Sequence, residues 1–187
     1  GKKLKTSINL KYSKSYKDAF LSIKDGSAEL GWLGSYSYMK LDQQNADIEP
    51  FAVGVLKGRT TSNYHSLFIV NSKSNIKKIE DLREKSLTLS DEFSASGFEV
   101  PKYELENIGL PITDKKNYKN IYYVKNHDEA IKRVLQGATD VAAISSINYE
   151  KWLKNIQKEN KSLRVIHKSS AISGPPLVFA KKLEPLL

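Results

Sequence analysis

Hydrophobic and polar residues along the chain follow two periods in turn, one typical of strands and one typical of helices. Strand-like segments lie at 4–10, 28–33, 48–56, 65–70, 86–90, 121–124, 141–144, 163–167 and 175–180. Segments with apolar residues at helical spacing lie at 15–25, 34–41, 97–108, 127–136 and 146–158, with a single helical turn at 79–84. Because strands separated by helices form parallel or mixed sheets, the pattern predicts an α/β fold.

Length and composition limit what the chain can be. Its 187 residues are 40% hydrophobic, enough for one substantial core or two small ones, so we expect one domain or a pair of lobes. Neither a membrane-spanning run nor the apolar segment of a signal peptide is present in the sequence. We therefore expect a soluble chain that is either cytoplasmic or already without its export signal. Cysteine is absent and the three histidines are scattered, so we expect no metal and no cofactor.

The net charge of +9 raises the possibility of nucleic-acid binding. Only four of the 30 basic residues are arginine, however, and the lysines are spread along the whole chain. Readers of phosphates and bases favour arginine forks, often with aromatic residues between them. We therefore expect no nucleic-acid partner, and a lysine-rich surface that raises the local concentration of small anions.

The stretch F-S-A-S-G-F-E-V-P, residues 93–101, follows a predicted strand and opens a predicted helix. The first amides of a helix have no partner within it, and its dipole places partial positive charge there. Ser94 and Ser96 add hydroxyl donors, and Gly97 lets the backbone approach a ligand closely. Such a loop can hold a phosphate-like oxyanion without a cation. Ordinary N-capping by serine is the alternative, and the local sequence does not decide between them.

His127 stands in a similar place, just after the predicted strand 121–124 and at the start of the next helix. If these strands are parallel, His127 lies on the same edge of the sheet as Ser94 and Ser96, where open α/β sheets bind ligands. An imidazole there can donate to an oxyanion. The alternative is a surface histidine near a helix start.

The chain resembles the periplasmic phosphonate and phosphite binding proteins that serve ABC transporters. The resemblance covers nearly the whole chain and rests on motifs in the same order: A-F-L-S-I-K-D-G-S-A-E-L-G-W-L-G-S-Y-S-Y, Y-x-S-L-F-I-V-N-S-K-S from Tyr64, D-L-R-E-K-S-L-T-L, S-A-S-G-F-E-V-P, H-D-E-A, L-Q-G-A-T-D-V-A-A and R-V-I-H-K-S-S-A-I-S-G-P-P-L-V. Its most specific part is the Ser-x-Ser-Gly-Phe stretch with the later His-Asp pair. Compared with this family, the chain looks shortened at both ends.

The resemblance implies a two-lobe, type II periplasmic-binding-protein fold, with mixed sheets flanked by helices and a ligand cleft between the lobes. Residues 1–73 plus 172–187 would form lobe 1, and residues 74–171 lobe 2. The segments 71–75 and 168–174 would form the hinge.

The resemblance also implies which residues bind the ligand. In the family, a Ser-Thr-Ser loop at a helix N-terminus, a histidine and tyrosines from the opposite lobe hold the oxyanion. The matching positions here form one ligand-binding set of Ser94, Ala95, Ser96, Gly97, His127, Tyr64 and Tyr16. Since Ala95 stands where the family has threonine, one hydroxyl donor is missing.

A second departure concerns the organic end of the ligand. Family members that bind aminophosphonates have carboxylates at the positions that align with Ile147 and Pro175, and neither residue carries charge. We therefore expect phosphite, a simple alkylphosphonate or another oxyanion with an uncharged tail. Trp32, near Gly31 and Gly34, either lines the cleft or packs in a core, as strand-end aromatics more often do.

The expected function is that of a solute-binding protein, not an enzyme, that captures a small oxyanion for an ABC permease. Its expected location is periplasmic or extracytoplasmic, with membrane contact only through the permease or a lipoprotein anchor. The main alternative is the ligand-sensing ectodomain of a histidine kinase or cyclase receptor, with a fused output module as partner. An enzyme using Ser94 or Ser96 with His127 and Asp128 is disfavoured because no G-x-S-x-G motif is present.

Overall fold

The computed structural model describes residues 7–155 and 162–186. Within these ranges the strands are β1 (Leu30–Trp32), β2 (Ile48–Val53), β3 (Ser66–Asn71), β4 (Lys85–Leu89), β5 (Tyr118–Tyr123), β6 (Val141–Ser145), β7 (Leu163–Lys168) and β8 (Pro176–Ala180). The α-helices are α1 (Tyr16–Lys24), α2 (Ser35–Gln43), α3 (Val100–Asn107), α4 (His127–Leu135) and α5 (Ser146–Asn155). Short helical turns lie at Ile79–Leu82, Ala95–Glu99, Lys115–Asn117 and Lys181–Leu186.

The smaller of two sheets has three antiparallel strands in the order β1-β8-β2. Helices α1 and α2 cover it, and their apolar residues form a core with the strands that includes Phe20, Ile23, Leu33, Leu41 and Val178. Helix α1 starts at its N-cap Ser15, whose hydroxyl accepts from the Asp18 amide, and is followed by Gly26 with a positive φ of 75°. The predicted helix over 15–25 is therefore confirmed.

The larger sheet has five strands in the order β5-β4-β6-β3-β7. It is mixed: β4 runs parallel to β5 and β6, whereas β3 runs antiparallel to β6 and β7. Phe68 and Val70 belong to the core on one face, with α3, and Leu67 and Ile69 to the core on the other, with α4. Burial on both faces explains why β3 is a continuous apolar run. The predicted α/β class with mixed sheets flanked by helices is confirmed.

One predicted strand is wrong. Of the segment 4–10, residues 7–10 have no strand pairing, and residues 4–6 lie outside the described residues. Ile8 and Leu10 are exposed. An alternating pattern yields a strand only where a neighbouring strand pairs with it, and this segment has none in the described part of the chain. The end of the predicted helix 146–158 also lies outside the described residues, after α5.

The strand pairings do not support the predicted boundary between the two lobes at residue 73. Since β3 pairs with β6 and β7, it belongs to the larger sheet and not with the smaller one. The chain crosses between the sheets in the segments 54–65 and 169–175, which we call the crossing segments. The second matches the expected segment 168–174, whereas 71–75 connects parts of the larger sheet. The sequence of a strand that is buried on both faces does not indicate which sheet the strand joins. The apolar run of β3 therefore could not show where the chain first crosses between the sheets.

The helices in the described ranges are all too short or too polar to cross a lipid bilayer. In the same ranges, no three His, Asp or Glu side chains come together as a metal site.

Candidate functional site

The candidate site lies at the edge of the larger sheet where β4 and β5 end. These strands are parallel, with Leu89 opposite Tyr123, so the segments that follow them leave at the same edge. The Ser96 hydroxyl oxygen lies 3.5 Å from His127 Nε2. The structure thus brings together the two loops that the sequence predicted to converge.

The loop after β4 is held by hydrogen bonds at each of its residues from Ser94 to Gly97. Ser94 is the N-cap, and its hydroxyl oxygen accepts from the Gly97 amide at 3.1 Å. The Ser90 amide donates to the Gly97 carbonyl at 2.8 Å, and the Ser66 hydroxyl donates to the Ser96 carbonyl at 2.7 Å. N-capping, the alternative reading of this stretch, is confirmed for Ser94. The Gly97 amide therefore donates within the loop.

Gly97 is required by close packing. A Cβ atom at this position would lie 1.6 Å from the Ser90 hydroxyl oxygen and 2.8 Å from His127 Cε1. Any larger residue would push apart the loop and the imidazole. The close approach at Gly97 is to the protein's own side chains, and its approach to a ligand stays a prediction.

His127 is the first residue of α4 and is only 3% exposed. Its Nε2 lies 3.3 Å from the Tyr16 hydroxyl, and its Nδ1 lies 3.4 Å from the Ser90 hydroxyl. Burial lowers the pKa of His127 to about 4, with nearby Asp128 opposing the change. The ring is therefore neutral at pH 7, so one nitrogen carries a proton and can donate while the other accepts.

Tyr16 and Tyr64 face His127 and Ser96 from other parts of the chain. Tyr16 begins α1, against the smaller sheet, and its ring meets the imidazole edge-on with centroids 6.2 Å apart. Tyr64 lies in the first crossing segment and pairs with Ile172 in the second. Burial raises the pKa of Tyr16 to about 12 and also raises the pKa of Tyr64. Both hydroxyls stay protonated and can donate to an anion.

These side chains line one cavity of about 290 Å³. Of the seven predicted residues, Tyr16, Tyr64, Ser96 and His127 line it. The other three, Ser94, Ala95 and Gly97, are buried in the loop that positions Ser96. The structure therefore supports a shared hollow between the two sheets, with the Ser94–Gly97 loop as part of its frame.

Sequence reasoning missed several residues of this cavity. Those from the first crossing segment and from the larger sheet's side are Gly54, Val55, Leu56, Arg59, Thr61, Ser62, Ser145 and Asn148. Arg59 forms an ion pair with Glu150 of α5. Residues 54–56 were predicted as the end of a strand and residues 57–64 show neither period, so no pattern marked this segment as part of a site. Ser90, which contacts His127, had a usable signal: it ends the predicted strand 86–90.

Trp32 lines the cavity and does not pack in a core. Its side chain is 63% exposed, and its indole N–H donates to the Pro175 carbonyl at 3.0 Å. Of the two roles open to Trp32, the position in the cleft is confirmed. Ile147 and Pro175 also line the cavity.

Comparison with known proteins gives consistent matches along the whole chain. The family model described as "ABC transporter, phosphonate, periplasmic substrate-binding protein" matches residues 1–187. The phosphonates-binding periplasmic protein of Escherichia coli (strain K12) is 30% identical over 97% of this chain and 54% of its own length. A probable ABC transporter phosphite binding protein of Prochlorococcus marinus (strain MIT 9301) is 28% identical over 81% of this chain and 51% of its own length. The chain spans about half the length of these curated relatives.

Solved structures show the same fold. A binding protein component of an ABC phosphonate transporter from Pseudomonas aeruginosa matches with a TM-score of 0.81 and 26% identity, over 93% of this chain and 58% of that one. A Prochlorococcus marinus protein in complex with methylphosphonate matches with a TM-score of 0.85 and 23% identity, over 98% of this chain and 68% of that one. These matches confirm the type II periplasmic-binding-protein fold.

Proposed function

Because the chain belongs to the family of periplasmic substrate-binding proteins of phosphonate ABC transporters, we propose that it captures a small phosphonate-like or phosphite-like oxyanion for an ABC importer. The observation that carries the proposal is the convergence of four neutral hydrogen-bonding side chains on one cavity, namely Ser96, His127, Tyr16 and Tyr64. Two of them stand on the larger sheet's edge, and the tyrosines face them.

In this proposal the oxyanion binds in the cavity beside Ser96, His127 and Tyr16 and replaces the direct contacts of 3.3–3.5 Å that these side chains now make with one another. The donors are the Ser96 and tyrosine hydroxyls, the protonated nitrogen of His127, and the amides of Ala95 and Ser96 at the start of the helical turn. Neutral donors fixed at a helix start can hold an anion without a counter-charge. Ala95 supplies no hydroxyl, and the missing bond costs roughly 1.5 to 3 kcal/mol unless water replaces it.

We divide the chain into two lobes that close on the ligand, each built around one sheet and joined by the crossing segments. Tyr16 and His127 stand on opposite lobes, so their contact forms only in a closed arrangement. A ligand that binds both sides favours the closed form and shifts the population toward it. The steps are binding and release, and no bond in the ligand is made or broken.

The proposed partner is an ABC permease that reads the closed form, and the proposed location is the periplasm, with a lipoprotein anchor as one way to stay at the membrane. The alternative partner is a fused output module in a receptor. Adjacent permease and ATPase genes would favour the transporter, and a transmembrane helix after this domain would favour the receptor.

The test is a thermal-shift screen with phosphate, phosphite, methylphosphonate, sulfate and 2-aminoethylphosphonate. We expect phosphite or methylphosphonate to raise the melting temperature, and Ser96→Ala or His127→Ala to remove that rise. His167→Ala is the matched control, since His167 pairs with Glu104 away from the cavity and its loss should leave the rise intact. No rise with any anion would refute the proposal. A rise with 2-aminoethylphosphonate alone would contradict the argument from Ile147 and Pro175.

A further inference from the structure

The cavity is larger than a simple oxyanion needs. Its volume of about 290 Å³ compares with roughly 30 Å³ for a water molecule in the liquid. Phosphite is only a few times the size of water. The cluster of Ser96, His127 and Tyr16 is compact, because each contact is 3.5 Å or shorter. Much of the cavity therefore lies beyond the atoms that would hold the anionic head.

The rest of the lining holds five apolar side chains beside two glycines and five polar residues, and most of the exposed surface of the cavity is apolar. We define the apolar wall as the cavity residues Trp32, Val55, Leu56, Ile147 and Pro175. Trp32, Val55 and Leu56 are exposed in this structure, although each has a large apolar side chain. Exposed apolar side chains that gather on a concave surface next to polar groups are typical of a ligand pocket.

Trp32 is held in place as a fixed platform. Its indole N–H donates to Pro175, and its six-membered ring lies against the backbone of Gly54. A Cβ atom at Gly54 would lie only 2.9 Å from Cζ2 of the indole. A fixed aromatic face offers contact area at little cost in conformational entropy.

The charged residues around the cavity bear on which kind of ligand tail it can hold. Among the described residues that line it, none is Asp or Glu. The guanidinium of Arg59 is paired with Glu150. A ligand tail with an ammonium group would meet no carboxylate in this lining, whereas an apolar tail has no hydrogen bonds to water to lose.

Resting on the proposed function, we infer that the bound oxyanion carries an apolar tail larger than methyl, an alkyl chain or an aromatic ring, which packs against the apolar wall. The ligand class is thus an organophosphonate with a hydrophobic substituent. The polar cluster holds the head, and Trp32 is the main contact of the tail.

The test is isothermal titration with phosphite, methyl-, n-butyl-, phenyl- and 2-aminoethylphosphonate. A fully buried methylene tightens binding roughly fourfold. Because the wall is partly open to solvent, we expect n-butylphosphonate to bind about tenfold more tightly than methylphosphonate, with 2-aminoethylphosphonate weaker than n-butylphosphonate.

The variant Trp32→Ala distinguishes contacts to the tail of the ligand from contacts to its anionic head. It should weaken n-butylphosphonate about tenfold and phosphite by less than threefold, since phosphite does not reach the wall. Tyr103→Ala is the matched control: its side chain is also 63% exposed, and Tyr103 is not among the cavity residues. It should change neither affinity.

The outcomes are distinct. If phosphite and methylphosphonate bind but the butyl chain adds nothing, or if Trp32→Ala weakens all ligands equally, this inference is wrong while the proposed function stands. Tighter binding of 2-aminoethylphosphonate than of n-butylphosphonate also overturns it. If none of the five compounds binds, the proposed function fails, and the inference fails with it.

Discussion

Acidification should destabilise the protein through one buried imidazole, that of His127. In the folded protein its ring packs against Ser96, Gly97 and Tyr16 with almost no access to water, and burial lowers its pKa to about 4. In the unfolded chain the same ring has the ordinary pKa of about 6.5. Between these two values the unfolded chain binds a proton that the folded protein does not, so stability falls as the pH falls through this window.

The magnitude follows from the size of the shift. Each pH unit within the window costs about 1.4 kcal/mol, so the full descent from about pH 6.5 to about pH 4 costs roughly 3 kcal/mol. Above the window the ring is neutral in both states and contributes no pH dependence. For a domain with a free energy of unfolding of about 5–15 kcal/mol, such a loss is readily measured.

The assay is urea denaturation of the wild type and of His127→Asn at several pH values between about 7 and 4. The other titratable groups are common to both proteins and cancel in the difference. We expect the stability of the wild type to fall more steeply than that of the variant, by roughly 3 kcal/mol over the window. Parallel curves for the two proteins would refute the reasoning, because they would mean that His127 takes up its proton equally in both states.

Two other changes probe the frame of the site. Gly97→Ala should destabilise the protein by about 1 to 3 kcal/mol and abolish the thermal shift with phosphite, because the new methyl group clashes with Ser90 and His127. Unchanged melting and an unchanged shift would contradict this. Phe93→Ala should lower the free energy of unfolding, measured by urea denaturation, by about 2 kcal/mol. The half-buried Phe93 ring packs on the Phe20 ring, with the two ring centroids 4.7 Å apart. A loss below about 0.5 kcal/mol would show that this contact contributes little.

The fold was largely predictable because most of its elements carry local signals. Helix α4 has its apolar residues on one face and ends before Gly137, which has a positive φ of 70°. Strand β6 is an apolar run over its first four residues and is buried along its whole length within the larger sheet. The segment 7–10 has an equally regular pattern but no partner strand in the described part of the chain, and pairing is a long-range property that periodicity cannot report. The sheet membership of β3 was missed for the same reason.

The polar cluster and the apolar wall of the candidate site also differ in how far local sequence patterns predict them. Ser96 and His127 each follow a strand and open a helix, so a local pattern and one rule about sheet edges located both. The apolar wall is assembled from residues far apart in sequence, since Trp32 meets Pro175 across 143 positions. No local pattern marks such a contact. In the proposed function, the class of head group and the absence of charge on the tail follow from sequence positions, the latter from Ile147 and Pro175, whereas the size of the tail depends on how the crossing segments meet, which only the three-dimensional structure supplies.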